Sequence, residues 1–167
     1  MTEGLRHVPA GGGDTLRVIA DTVTFKGRLD GAADRLVVAE VEVPPGAGTP
    51  LHSHASAEVF RVLSGELEFS TLDEGGRVRV RAAAGDVVSV PSGTPHGYAN
   101  RGGSPAVVLV VFDDAMERFF RAAGVSAREA AAGPPGAAEV ARVMAAAAAH
   151  GIRILDRPPE PIGAGAA

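Results

Sequence analysis

The 167-residue sequence contains no cysteine. Disulfides, thiolate ligands and a cysteine nucleophile are thereby excluded, and the lack of disulfides fits a cytoplasmic location. Lysine is nearly absent, with Lys26 the only one, and the formal net charge is −4. A chain of that sign has no general attraction for phosphate backbones, and its arginines form no broad patch with interleaved aromatics. No nucleic-acid partner is expected. Long apolar runs are missing too. The longest with bulk, Ala106 to Phe112, falls far short of the roughly 20 residues that a membrane span needs. The first 14 residues lack the apolar region of a secretory signal, so a cytoplasmic protein without membrane attachment is expected.

What is present is an ordinary globular composition, 46% hydrophobic and 22% charged, in a length suited to one domain with a real core. Residues 1–14 read as a loose lead-in, because Gly11-Gly12-Gly13-Asp14 is too glycine-rich to start an element. From Leu16 to Phe112 short β-type segments alternate with turn residues. Arg17 to Phe25 is rich in β-branched residues, Ala39 to Val43 alternates until Pro44-Pro45-Gly46, and Asp73-Glu74-Gly75-Gly76 is a hairpin signal between Glu66–Leu72 and Arg77–Arg81. Val87–Val90, Pro95–Asn100 and Pro105–Phe112 complete an all-β set of sandwich or barrel type. After Phe112 the period changes to helical. Asp114 with Glu117 resembles a capping box, and Met116, Phe119, Phe120 and Ala123 form a stripe closed by Gly124. Ser126 and Glu129 suggest a second short helical turn. A further helix spans about Ala137 to His150, and Ile152 to Leu155 reads as an edge strand. The expected boundaries are a loose segment at 1–14, a barrel at 15–113, a helical extension at 114–156 and a flexible tail at 157–167.

Three of the five histidines fall in two short segments. His52 and His54 are two apart, so on an extended strand both imidazoles point to one face. Glu58 opens the next strand and can face them, and His96 can come round if the sheet closes. Three neutral imidazoles and one carboxylate suit a divalent transition metal such as Fe, Mn, Ni, Cu or Zn, with positions left open for a small-molecule substrate. Gly46, Gly65, Gly85 and Gly93 lie at turns, and Pro91 precedes a tight turn that would aim His96 inward.

These segments match Gly-x5-His-x-His-x3-Glu-x6-Gly and Gly-x5-Pro-x-Gly-x2-His-x3-Asn at all ten fixed positions, from Gly46 to Asn100. The sequence therefore resembles the cupin superfamily. The 19 residues between Gly65 and Gly85 suit bacterial single-domain cupins, and the C-terminal part resembles the quercetin-dioxygenase-like subset. The resemblance implies a double-stranded β-helix (jelly-roll) barrel followed by two to three short α-helices, and a homodimer. It also implies one divalent metal held by His52, His54, Glu58 and His96.

Phe60, Val62 and Tyr98 share strand parity with Glu58 and His96 and are expected to face the barrel interior as a substrate pocket. Plain core packing competes with that role and suits Val62 better. Tyr98, the only tyrosine, would donate a hydrogen bond to substrate or to a ligand, and Asn100 would fix a turn. The candidate catalytic residues are Glu58 and Tyr98. Full ligand retention and the subset resemblance together imply a dioxygenase acting on a small enediol-like or phenolic substrate. The same ligands would serve a non-redox isomerase, cyclase or decarboxylase, or a small-molecule-binding module without turnover.

Overall fold

The protein is described from a computed structural model covering residues 4–30, 35–128, 130, 133 and 135–156. Two antiparallel sheets face each other across one core. The first is ordered β11-β1-β2-β3-β10-β5-β8 and the second β12-β4-β9-β6-β7. The strands are β1 (Asp14–Val18), β2 (Asp21–Asp30), β3 (Arg35–Val43), β4 (Gly48–Ser53), β5 (Glu58–Ser64) and β6 (Glu66–Asp73). They continue with β7 (Gly76–Ala83), β8 (Val87–Val90), β9 (His96–Ala99), β10 (Ala106–Asp113), β11 (Val125–Ser126) and β12 (Arg153–Ile154). The two helices are α1 (Asp114–Ala123) and α2 (Ala137–Ala149). This is the expected all-β jelly roll with two short C-terminal helices. Among the described residues, no helix is long and apolar enough to cross a membrane.

Period-2 patterning explains which way each strand faces. In β10, Ala106, Val108, Val110 and Phe112 are buried, and in β3 Val37, Ala39, Val41 and Val43 are. They meet Phe60 from β5 and Leu67, Phe69 and Ala82 from the second sheet in one cluster. Phe60 and Phe69 touch across the sheets with ring centroids 5.4 Å apart. The arginines of β7 stand on a solvated face, where Arg79 pairs with Glu68 and Arg81 with Glu66. The alternate residues Val78 and Val80 are exposed as well, so β7 is an edge strand that contributes only Ala82 to the core.

Two local expectations are corrected. The β-branched run from Arg17 to Phe25 is not one strand but a hairpin that turns at Ile19 and Ala20, with Val18 opposite Asp21. No turn residue announces it; Ile19 itself takes φ 57, a conformation that β-branched residues rarely adopt. The cap of α1 is Asp113, not Asp114: its carboxylate accepts from the Met116 amide and from Ser56 Oγ. Glu117 closes no capping box, because Arg28 at 2.7 Å and Arg121 at 2.9 Å engage it instead. Ser126 ends strand β11, and its carbonyl accepts from the Ala130 amide at 3.0 Å, so one helical-type turn follows it as expected. Glu129 and the expected tail at 157–167 lie outside the described residues.

The lead-in is tethered, since Lys26 Nζ donates to the carbonyls of Pro9, Ala10 and Gly12. The C-terminal extension is stitched into the barrel. β11 pairs with β1, and β12 pairs with β4, placing Ile154 beside His52.

Candidate metal centre

His52 lies in β4 and His54 just after it, on one face as the two-residue spacing requires. β4 pairs with β9, which sets His52 directly opposite His96. That pairing needs unusual closeness between the two backbones. At Gly48, with φ 157, a Cβ would stand 2.1 Å from the Tyr98 carbonyl oxygen, so only glycine fits. The turn from Pro91 to Thr94 is closed by Thr94 N to Pro91 O at 3.1 Å and anchored by Gly93 N to His54 O at 2.8 Å. It brings His96 to the two other imidazoles. The expected turn glycines, Gly46, Gly65, Gly85 and Gly93, all take positive φ. Asn100 fixes the turn after β9, with Nδ2 donating to the carbonyls of Val43 and Ser104.

Ligand-capable nitrogens of His52, His54 and His96 lie within 4.8 Å of one another. Glu58 reaches the cluster from β5, in the opposite sheet. Its Oε2 is 3.1 Å from His96 Nε2 and 3.5 Å from His54 Nε2. The donor set suits a divalent ion on three grounds. His52 Nδ1 lies 2.9 Å from the Pro50 carbonyl and His96 Nδ1 2.8 Å from the Thr94 carbonyl. Each carbonyl holds its imidazole in the tautomer that presents Nε2 to the cluster. Both ring nitrogens of His54 are buried without a hydrogen-bond partner, a costly arrangement in a protein interior unless one of them binds something there. Protonation states also agree. Burial and the neighbouring His96 bring the His52 imidazole down to about 4. Burial would raise Glu58, but the His54 and His96 imidazoles outweigh it and bring the carboxyl to about 2. Burial opposes protonation of His96, while Glu58 and the Thr94 carbonyl favour it more strongly, so its value rises. A divalent ion would take over the role of that proton.

A cavity of about 130 Å³ opens onto His52, Glu58 and His96. Its walls are largely apolar, with Val41, Phe60 and Val110 from the barrel and Met116, Phe119 and Phe120 from α1. Of the expected pocket residues, Phe60 and Tyr98 line this cavity. Val62 is buried in the core and does not line the cavity. The Tyr98 hydroxyl is not directed at a metal ligand: it donates to Asp21 Oδ2 at 2.8 Å. Asp21 also lines the cavity and was absent from the sequence-derived candidates. Its signal was parity, since Asp21, Val23 and Phe25 alternate with outward residues and all three are buried.

Residues 39–112 match the cupin domain family. Germin-like protein 1-1 of Oryza sativa subsp. japonica is 32% identical over 82 residues, 48% of this chain and 38% of the relative. Dimethylsulfoniopropionate lyase DddQ of Ruegeria pomeroyi is 43% identical over 65 residues, 39% of this chain and 31% of the relative. The matched stretch thus spans only about a third of each relative's length. Among solved structures, an RmlC-like cupin from Shewanella frigidimarina superposes with a TM-score of 0.52 at 21% identity, over 65% of this chain and 91% of that one. The motif residues, the jelly-roll topology and the matched stretch agree that residues 39–112 form a cupin domain.

Proposed function

We propose that this protein is a metal-dependent enzyme in which His52, His54, Glu58 and His96 hold one divalent ion of Fe, Mn, Ni, Cu or Zn, and that it is an oxygenase of small enediol-like or phenolic substrates. The observation that carries this reading is the junction of a four-residue ligand set with a small apolar cavity. A dry cavity of about 150 Å³ takes up benzene, so about 130 Å³ admits one ring or a short chain. A single-ring substrate matches that volume better than a three-ring flavonol, which favours smaller molecules within the quercetin-dioxygenase-like reading. Bound there, the ion would supply a Lewis-acidic and, for Fe, Mn, Ni or Cu, redox-capable centre for substrate oxygens. Glu58 is the one anionic donor and the nearest acceptor for a proton leaving a substrate hydroxyl. Phe60 and the aromatics of α1 orient a flat substrate and exclude water.

The test is oxygen uptake by the iron-loaded protein with catechol and with a small aliphatic enediol. Uptake with substrate loss in wild type, and none in His96→Ala or in zinc-loaded protein, supports the oxygenase. A second reading, non-redox proton-transfer chemistry, is favoured by the Tyr98–Asp21 pair at the cavity and by the similarity to a lyase. Turnover by zinc-loaded protein without air would establish it and remove the first. We further propose a homodimer formed through the outward faces of β5 and β8, where Val59, Leu63 and Val87 are exposed. Light scattering should give a dimer mass for wild type and a monomer mass for Val87→Arg.

A further inference from the structure

The cavity has a second polar end that the ligand cluster does not use. Asp21 opens β2 immediately after the Ile19–Ala20 turn, and its side chain lies across the cavity from β9. The residue is only 7% exposed. Its Oδ2 accepts from the Tyr98 hydroxyl at 2.8 Å, whereas Oδ1 is buried and has no hydrogen-bond partner. Burying a carboxylate with one oxygen unsatisfied is costly, and burial pushes this carboxyl up to about 6 despite the Tyr98 hydrogen bond. A packed core would remove such a group; a binding site has a use for it.

We propose that Asp21 is the substrate-anchoring residue of the cavity, with Oδ1 accepting a hydrogen bond from a substrate hydroxyl while the same molecule's oxygen donors engage the ion at the histidine cluster. The proposal rests on the metal-dependent reading above and adds the substrate class to it. That class is a compact, mostly apolar molecule with metal-binding oxygens at one end and a hydroxyl at the other. Strand geometry sets the scale. Tyr98 follows His96 by two residues on the same face of β9, a separation of about 6.5–7 Å, and both line the cavity. The histidine cluster and the Tyr98–Asp21 pair thus mark two separate polar points on the lining of one cavity. Between them stand Val23, Val41, Phe60 and Val110, none of which can satisfy a hydroxyl. A substrate is thus held in one orientation, because turning it over would leave the ion with a single hydroxyl in place of the chelating pair of oxygens.

The test uses zinc-loaded protein without air, so that nothing turns over, and reads binding by calorimetry. The probes are 3,4-dihydroxybenzyl alcohol and 4-ethylcatechol, which share the metal-binding diol and differ in a terminal hydroxyl against a methyl group. Wild type is expected to bind the alcohol about ten-fold or more tightly than the ethyl compound. Asp21→Leu, with zinc content unchanged, is expected to lose that preference or reverse it. Equal or tighter binding of the ethyl compound by wild type overturns the proposal while leaving the metal reading intact. That comparison needs no variant to fold. Stoichiometric zinc with neither probe bound overturns the anchoring role and the substrate class together. Failure of wild type to hold zinc overturns the metal reading, and the proposal with it.

Discussion

Replacing Asp21 with Asn should make the protein more stable at neutral pH than at acid pH relative to wild type. The cause is the unequal cost of ionising the carboxyl in the two states. In the unfolded chain Asp21 titrates at its ordinary 3.8, and in the folded protein burial raises it to about 6. Below pH 4 the carboxyl is protonated in both states and imposes no penalty. Between about 4 and 6 the unfolded chain releases the proton while the folded protein keeps it, so wild-type stability falls as pH rises; above 6 the loss is complete. Each pH unit of that gap corresponds to about 1.4 kcal/mol, giving a total near 3 kcal/mol. Asn has the same shape and does not titrate. The assay is urea unfolding of both proteins with a chelator present, at pH 4 and pH 7.5. The other titratable groups at the cavity (Tyr98, Glu58, His52 and His96) are common to both proteins and drop out of the difference. The stability of Asp21→Asn minus that of wild type should grow by about 3 kcal/mol from the lower to the higher pH. A difference that stays constant, or shrinks as pH rises, would refute the burial of an unpaired carboxyl.

Other changes have equally definite outcomes. Gly48→Ala sets a methyl group 2.1 Å from the Tyr98 carbonyl oxygen. Strands β4 and β9 must part, with a loss of more than about 3 kcal/mol by urea unfolding and a fall in metal content. His54→Leu removes one of the three clustered imidazoles while keeping an apolar side chain of similar bulk. Metal content should fall to background in a variant that remains folded by circular dichroism, a loss that a purely structural histidine would not give. Asp113→Ala deprives the Met116 amide and Ser56 Oγ of their acceptor. Unfolding should show a loss of about 1–2 kcal/mol, and a cavity-binding dye should report looser closure, because α1 carries Met116, Phe119 and Phe120 over the cavity.

The four candidate ligands were legible because their spacing is local. His52 and His54 are two apart on one strand, Glu58 opens the next strand, and a turn marked by Pro91 and Gly93 presents His96. The inward faces of β3 and β5 were legible for the same reason, since alternation along a single strand needs no knowledge of the rest of the chain. What escaped depends on distant partners or on strain. Asp21 meets Tyr98 across 77 positions of sequence, and nothing near Asp21 announces a hydroxyl. The Ile19 turn contradicts local preference, because a β-branched residue takes a backbone conformation usually left to glycine. Tyr98 pointed inward as parity required, but parity does not say which group its hydroxyl finds. Val62 had the same parity as Phe60, yet it does not line the cavity, because parity gives the face a residue takes and not how far a cavity extends along it. The cap of α1 moved by one residue because Asp113, the last residue of β10, faces the Met116 amide.

The central claim is that His52, His54, Glu58 and His96 bind one divalent metal ion. The direct measurement is metal content by inductively coupled plasma mass spectrometry, on protein purified without a metal-binding tag, beside His52→Ala/His54→Ala. Wild type should carry close to one equivalent of a divalent transition metal, as isolated or after reconstitution, and a variant that remains folded should lose it. No metal in wild type even after reconstitution, or equal metal in both proteins, would contradict it.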